Sequence, residues 1–281
     1  MRLVVTGAGG GLGRAFLAQL PSHHDVAALG HADMDIGDHA AVMQTVPALR
    51  PDAILNFAAF TKVDANETDP KRAVNDNAVG PQNLALAARR CGAALLHVST
   101  DYVFDGTKGS PYDELDGTAP LSVYGRTKLA GEMHVRHVTP EHMIVRIGQV
   151  FGGGTDFLTR ATTALRSGEL VPAIDDRRGT PTFVGDIARR LLPMLITGRW
   201  GTYHLAGPHT CSWFEALSRV KALEGLTAEV HVQPSADLGL VAPRPVDASL
   251  TSVYVESLGI EPMPSLDDSL SAFLAALDPR A

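Results

Sequence analysis

Cysteine is scarce. Cys91 and Cys211 are the only two in 281 residues. They lie far apart and in no paired motif, which excludes a disulfide framework and predicts two free thiols in a reducing compartment. Long uncharged apolar runs are also missing, so no membrane span is expected. The chain enters a strand at Arg2 without a basic-then-apolar leader, and a cytoplasmic location is expected. Without export, the sequon Asn66-Glu67-Thr68 carries no meaning. Positive charge is in deficit, with 24 Lys and Arg against 31 Asp and Glu and a net charge of −7. That excludes a broad nucleic-acid surface and leaves room for a local phosphate pocket. There is no internal repeat and no low-complexity linker. What remains is 45% hydrophobic and 20% charged, the composition of an ordinary globular chain with one large domain or two unequal lobes.

The first informative stretch is at the start. The β-rich run Arg2 to Thr6 leads into Gly7-Ala8-Gly9-Gly10-Gly11-Leu12-Gly13 and then the helical pattern Phe16, Leu17, Leu20. Gly7, Gly10 and Gly13 have the spacing G-x-x-G-x-x-G in a strand–turn–helix context. Such glycines let backbone approach a pyrophosphate, and the helix N-terminus adds amide donors and partial positive charge. Residues Gly7, Gly10, Gly11, Leu12 and Gly13 are therefore candidates for binding a dinucleotide, against the alternative of a flexible glycine loop. The tip of the next strand is Gly30-His31, with Asp33 and Asp35 following. An acid there would favour NADH and a base NADPH. His31, helped by Arg14, could lie beside a 2′-phosphate, a slight lean to NADPH over NADH. Asp35 and Ile36 would flank the adenine.

Strand and helix patterns then alternate through residue 98, which predicts an α/β fold with a parallel sheet. The piece from Asn56 to Asp64, with Ala58, Ala59, Thr61 and Val63, falls at the carboxyl end of a strand, the edge where such sheets bind ligands. A long helix is expected over 73–91. Its Asn77 would hold backbone or an ordered water near the site, or simply cap or face solvent. Gly106 to Leu121 reads as a loop whose Asp113, Glu114 and Asp116 form a solvated charge run. After the glycine run 152–154 the alternation loses regularity. The expected division is a Rossmann domain over 1–150, with returning segments near 180–205 and 246–260. A smaller C-terminal substrate lobe would take about 151–179 and 206–281.

The stretch from Ser99 to Lys128 carries the chemistry. Ser99-Thr100-Asp101-Tyr102 ends an apolar strand, and a helix begins near Val123. Tyr124 and Lys128, four apart, share one helical face. An ammonium beside a phenol favours phenolate, which would lower the tyrosine pKa and tune it to donate a proton to a carbonyl as hydride arrives. Thr100 could hydrogen-bond the same oxygen. Taken alone the pair is weak and reads first as a packed tyrosine and a solvated lysine; the glycine turn raises the catalytic reading.

Together these motifs resemble the extended short-chain dehydrogenase/reductases, and more narrowly the dTDP-4-dehydrorhamnose reductase family. The carrying residues are Gly7 to Gly13, Asn56 to Asp64, Asn77 to Ala85, Ser99 to Gly106, Tyr124 to Glu132, Gly179 to Thr182 and Arg244-Pro245. The resemblance spans nearly the whole chain. It implies a Rossmann-type doubly wound sheet and an NAD(P)H-dependent reductase of a nucleotide-linked 4-keto-6-deoxysugar. Thr100, Tyr124 and Lys128 would be the catalytic set, with Tyr124 and Lys128 also touching the cofactor. Thr61, Val63, Thr100, Asp101, Tyr102 and Gln149 would border the sugar. Arginine forks suit a diphosphate. Of Arg177, Arg178 and Arg244, the last stands first because Pro243 and Pro245 stiffen its loop.

Three positions depart from the family pattern. Gln149 stands where a tryptophan is usual, Asp176-Arg177 where Asp-Gln is usual, and Asp247 where the pattern Arg-Pro-x-Asn has asparagine. All lie in substrate-side segments, which implies conserved reduction with an altered substrate, another deoxysugar or a carbonyl without a nucleotide. The magnesium-bridged dimer of some members is not carried over, because the matching position is Ala15; no metal is expected, and a homodimer is left open. His134, His137 and His142 lack ligand spacing and read as surface histidines. The competing function from another class is a cofactor-binding regulatory subunit.

Overall fold

The apolar runs align in one parallel sheet. In the computed structural model, which describes residues 1–277, β1 (Arg2–Thr6) is followed by α1 (Gly11–Gln19), β2 (Asp25–Leu29), α2 (His39–Leu49) and β3 (Ala53–Asn56). Then come α3 (Val63–Thr68), α4 (Pro70–Val74), a π-helical turn (Asn75–Val79), α5 (Gly80–Cys91) and β4 (Ala94–Thr100). A long loop leads to α6 (Val123–Val138), β5 (His142–Ile147), the short β6 (Val150–Phe151), α7 (Phe157–Arg166) and β7 (Val171–Ala173). The remainder is β8 (Thr182–Phe183), α8 (Val184–Ile196), β9 (Gly201–His204), α9 (Trp213–Glu224), β10 (Val230–Val232) and α10 (Leu266–Leu277). The main sheet has the order β2-β1-β3-β4-β5-β9 with every pairing parallel. This is the doubly wound α/β fold.

Alternation within the strands explains the two packed faces. Leu3 and Val5 join Leu55, Leu96 and Val145 beneath α1 and α8, with Phe16 and Leu191. Val4 points the other way, into Ile54, Leu95 and Ile144 with Leu84 and Val135 of α5 and α6. A separate cluster of Phe151, Leu158, Val171, Leu217 and Phe273 joins α7, α9 and α10 to the short strands.

Two expectations are corrected. The single helix over 73–91 is three pieces, beginning at Pro70 and interrupted by the π turn. The acidic run at 113–116 is a set of hydrogen-bond acceptors, not a solvated face. Glu114 accepts from the backbone of His204 (2.7 Å) and Val253 (2.9 Å), and Asp116 accepts from Lys108 Nζ (2.5 Å). The loop is thereby tied to β9 and the C-terminal segment.

Candidate active site

The winding changes direction at β1: β2 lies on one side and β3 on the other. The crevice at the carboxyl ends of these strands is where such sheets take ligands. Gly7 turns the chain there with φ +69°, and a Cβ on it would stand 2.5 Å from the Ala58 nitrogen. Gly13 has equally little room, with a would-be Cβ 2.4 Å from the Gly7 carbonyl oxygen. The α1 N-terminus opens with no acidic residue in its first turn. A bare backbone cradle at a positive helix end fits the pyrophosphate of a dinucleotide. Arg14 is turned to other work than a 2′-phosphate. Its guanidinium donates to the carbonyls of Gly9 and Gly153, the latter at 2.9 Å.

The second part of the crevice is built by β4 and α6. Ser122 caps α6, its Oγ accepting from Gly125 N at 3.1 Å, while Glu67 accepts from Val123 N at 2.7 Å. A Cβ at Gly125 would meet the Tyr102 carbonyl oxygen at 2.2 Å, so glycine there lets the helix press on the end of β4. The Tyr124 ring consequently stands edge-on to Tyr102, centroids 5.5 Å apart. Thr100 Oγ1 donates to Asp101 Oδ1 at 2.8 Å. Asp101 is 3% exposed, and its carboxyl is pushed up to about 7, chiefly by burial against the opposing bond from Thr100. Lys128, 2% exposed, donates from Nζ to the Val98 carbonyl at 2.7 Å. Burial brings its pKa down to about 8, with Glu132 pulling the other way.

The expected lowering of the Tyr124 pKa is overturned. Burial raises it, Asp101 and Tyr102 push in the same direction, and only Thr100 opposes. The Lys128 ammonium is directed at the Val98 carbonyl, so desolvation of the phenolate dominates.

A cleft of about 870 Å³ collects most of the candidates. Gly7, Gly10, Gly11, Leu12 and Gly13 line it with His31, Asp35 and Ile36. Ala58, Ala59, Thr61 and Val63 form another wall, and Thr100, Asp101, Tyr102, Tyr124, Lys128 and Gln149 the far end. A neighbouring cavity of about 510 Å³ shares Asp101, Tyr102 and Gln149. Its walls bring Phe157 and Trp213 together with Arg160, Arg177, Arg178 and Arg244.

Asn77, a candidate for cofactor contact, instead holds backbone, one of the readings given for it. It does not line the cleft. Its Oδ1 accepts from Phe60 N (2.8 Å), and its Nδ2 reaches the Phe60 carbonyl, Asn66 Oδ1 and Thr127 Oγ1. Both Nδ2 protons are thereby taken up within the protein. Arg244 lines the second cavity, but both its terminal nitrogens are engaged by Asp64 (2.9 and 2.8 Å). Arg178 pairs with Glu215 at 3.1 Å, and Arg177 donates to the carbonyls of Arg244 (2.6 Å) and Pro245 (3.1 Å). The cavity aromatics Phe157 and Trp213 escaped the sequence reading, because a Trp opening an amphipathic helix gives no sign of which side meets a cavity. His97 was read only as part of an apolar run; its polar ring inside that run was the available signal.

Residues 1–278 match the family model described as RmlD substrate binding domain. The chain is similar to a dTDP-4-dehydrorhamnose reductase of Mycobacterium tuberculosis strain H37Rv, 39% identical over 98% of this chain and 93% of that one. Among solved structures it is similar to a dTDP-4-dehydrorhamnose reductase of Clostridium acetobutylicum, TM-score 0.94 and 32% identity, covering 99% of both chains. It is likewise similar to one from Bacillus anthracis in complex with NADP, TM-score 0.93 and 32% identity, covering 97% of this chain and 98% of that one.

Proposed function

This chain belongs to the RmlD substrate binding domain family of dTDP-4-dehydrorhamnose reductases, and we propose that it reduces the 4-keto group of a nucleotide-linked 6-deoxysugar with NADPH. Its general activity is that of an NAD(P)H-dependent oxidoreductase acting on the keto group of a nucleotide sugar. The single observation that carries the specific reading is the junction: the Tyr124 and Lys128 cleft shares Asp101, Tyr102 and Gln149 as a common wall with a second, arginine-lined cavity.

In this reading the Rossmann body of roughly residues 1–150, with the segments near 180–205 and 246–260, holds the cofactor. The remaining segments hold the nucleotide sugar. The glycine turn takes the pyrophosphate, Asp35 and Ile36 the adenosine, and Lys128 a ribose hydroxyl. When bound, the reduced nicotinamide supplies a hydride. Tyr124 supplies the proton. Burial keeps its phenol protonated at neutral pH, and an alkoxide forming on the substrate is a much stronger base, so transfer runs downhill. Thr100 orients the ketone oxygen. The flat faces of Phe157 and Trp213 suit a nucleobase, and the positive charge the four arginines bring to the cavity suits its diphosphate.

The lean to NADPH has one support. Asp33 is folded back to accept from Gly30 N at 2.8 Å, while His31 lines the cleft. We assign the chain to the cytosol, with small-molecule partners and, at most, a second copy of itself.

One observation favours a second reading of the substrate. Gln149 brings a carboxamide to the junction, and a carboxamide suits a more hydroxylated sugar better than an apolar face does. The deciding experiment follows NADPH and NADH oxidation by absorbance with dTDP-4-dehydrorhamnose. Fast oxidation, better with NADPH, is expected. Cofactor binding without oxidation would overturn the substrate and direct the search to other keto sugars.

A further inference from the structure

Beneath Lys128 lies a buried polar chain that the reduction described above does not use. His97 on β4 is fully buried, and its Nε2 stands 3.5 Å from Lys128 Nζ. Its other ring nitrogen, Nδ1, is 3.0 Å from Asn56 Nδ2. Asn56 in turn is held by its Oδ1, which accepts from Ala58 N (3.1 Å) and Thr6 Oγ1 (2.7 Å).

The protons in this chain can be assigned by elimination. A backbone N–H only donates, so the Asn56 atom facing Ala58 is its oxygen, and the atom facing His97 is its NH₂. His97 Nδ1 must then accept. Burial, and Lys128 beside it, hold the ring's pKa well below the ordinary 6.5, so at neutral pH the ring is uncharged. A neutral imidazole accepting at Nδ1 carries its proton on Nε2. That N–H points at Lys128.

We propose that His97 is a positioning residue of the reductase: fixed by Asn56 as the Nε2–H tautomer, it faces Lys128 with a donor, favours the neutral amine over the ammonium, and so sets the alkaline limit of turnover. A neutral amine can donate to the Val98 carbonyl and accept from Nε2–H at once; an ammonium has no lone pair to offer. Burial by itself already lowers the Lys128 pKa, and the Nε2–H donor would add to that. The titratable groups on the elements packed around the pair are Glu132 and Tyr124 on α6 and Asp101 after β4, with the charged Arg146 on β5; Glu132 is the one that acts on Lys128. Arg146 is taken up by Glu132 in a two-armed ion pair at 2.9 and 2.8 Å. From the π turn behind α6, Asn77 presents only an amide. Ala58 also lines the cofactor cleft, so the chain runs from the cofactor wall to the lysine.

The inference rests on the role given to Lys128 above, and its test separates the two. The first arm is ¹⁵N NMR of the histidine rings in the intact protein, with His97 identified by comparison with His97→Phe. A protonated Nε2 and a bare Nδ1 are expected across neutral pH; the opposite tautomer overturns the proposal whatever Lys128 does. The second arm is the pH profile of kcat/KM for His97→Phe and Asn56→Asp. The first removes the donor. The second offers Nδ1 an acceptor and turns Nε2 into an acceptor for the ammonium. Both should move the alkaline limb upward by roughly 0.5–1 pH unit. Lower rates with an unmoved limb would make His97 merely structural. If His97→Phe does not fold, the His97 ring is assigned in the intact protein by through-bond correlation to its own backbone, and the NMR arm decides. Undiminished turnover in Lys128→Met would instead remove the role of Lys128.

Discussion

Asp64 and Arg244, 180 positions apart, meet in a two-armed ion pair with Oδ1–Nη1 at 2.9 Å and Oδ2–Nη2 at 2.8 Å. Asp64 Oδ1 also accepts from the backbone nitrogens of Val241 (3.0 Å) and Ala242 (2.9 Å). One carboxylate on α3 therefore holds the loop that closes the second cavity. Arg244 and the backbone amides hold the Asp64 carboxyl down at about 2, below its ordinary 3.8. A depressed carboxyl stabilises the fold above its unfolded pKa, and that contribution is lost as pH falls through about 2. Asp64 is 39% exposed in this pair, so the discounted worth is about 1 kcal/mol. Asp64→Asn should lower the unfolding temperature at pH 7, with the difference shrinking on acidification below pH 4. It should also raise KM for the nucleotide sugar more than it changes Kd for NADPH. Equal effects on both ligands would contradict a loop that serves only the second cavity.

Tyr124→Phe tests the proton donor. The ring packs against Tyr102 through its edge, so the variant keeps its packing and loses only the hydroxyl. Turnover should fall by at least ~10²-fold, with NADPH binding, read by fluorescence, little changed. Turnover near that of the parent would remove Tyr124 as the acid and favour the regulatory-subunit reading.

Lys128 illustrates a conflict between stability and function. Its folded pKa of about 8 lies below the ordinary 10.5. Below pH 8 both states carry the proton, and the folded state bears the full desolvation cost. Between 8 and 10.5 the folded state sheds the proton first, so stability rises with pH across that window. Lys128→Met should therefore stabilise the ligand-free protein at pH 7. The lost bond to Val98 partly offsets the gain, leaving on the order of 1 kcal/mol. Thermal unfolding at pH 7 and pH 10 checks this: the gain should be present at the first and gone at the second, while turnover is poor at both.

Much of this was legible in local pattern. The glycine turn, the parallel sheet and the Tyr124/Lys128 spacing are short-range features, and a strand–turn–helix or a four-residue helical step carries its geometry in the chain itself. What escaped depends on register and burial. His97 meets Lys128 because β4 lies under α6. Asp64 meets Arg244 from 180 positions away in the sequence. The rise in the Tyr124 pKa comes from desolvation, which no spacing reveals, and Asn77 is consumed by a π turn that periodicity does not distinguish from α-helix. Glu114 and Asp116 looked solvated because acids usually are, yet their partners, His204, Val253 and Lys108, approach from other segments.

Asp101 gives a prediction of opposite sign. Its carboxyl is raised to about 7 from 3.8, so the folded state favours the proton. The stability it contributes is fully present below pH 4 and is lost as pH rises through 7. Asp101→Asn resembles the protonated form. Its oxygen can still accept from Thr100, and its NH₂ can donate to Thr100 Oγ1 in exchange, which frees the threonine proton for a ketone. The variant should unfold at a higher temperature than the parent at pH 8 and at nearly the same temperature at pH 4, with kcat retained. Loss of kcat at both pH values would show that the charge itself is needed.

Gly179 and Gln149 supply a test of what the junction recognises. Gln149 holds a left-handed backbone with φ +43°, and its side chain lies flat on Gly179. A Cβ at Gly179 would fall 2.5 Å from Gln149 Cδ and 2.6 Å from Nε2, and its Oε1 is buried without a partner. Gly179 itself needs no unusual φ, so Gly179→Ala is tolerated by its own backbone and acts by displacing the carboxamide. If Gln149 contacts the sugar, KM for the sugar should rise roughly tenfold while Kd for NADPH stays within about twofold. The double variant Gly179→Ala with Gln149→Ala removes the clash, and its KM should match that of Gln149→Ala alone. Unchanged KM in Gly179→Ala would leave Gln149 a packing residue, and the choice of sugar would then lie with Tyr102 and the arginines of the second cavity.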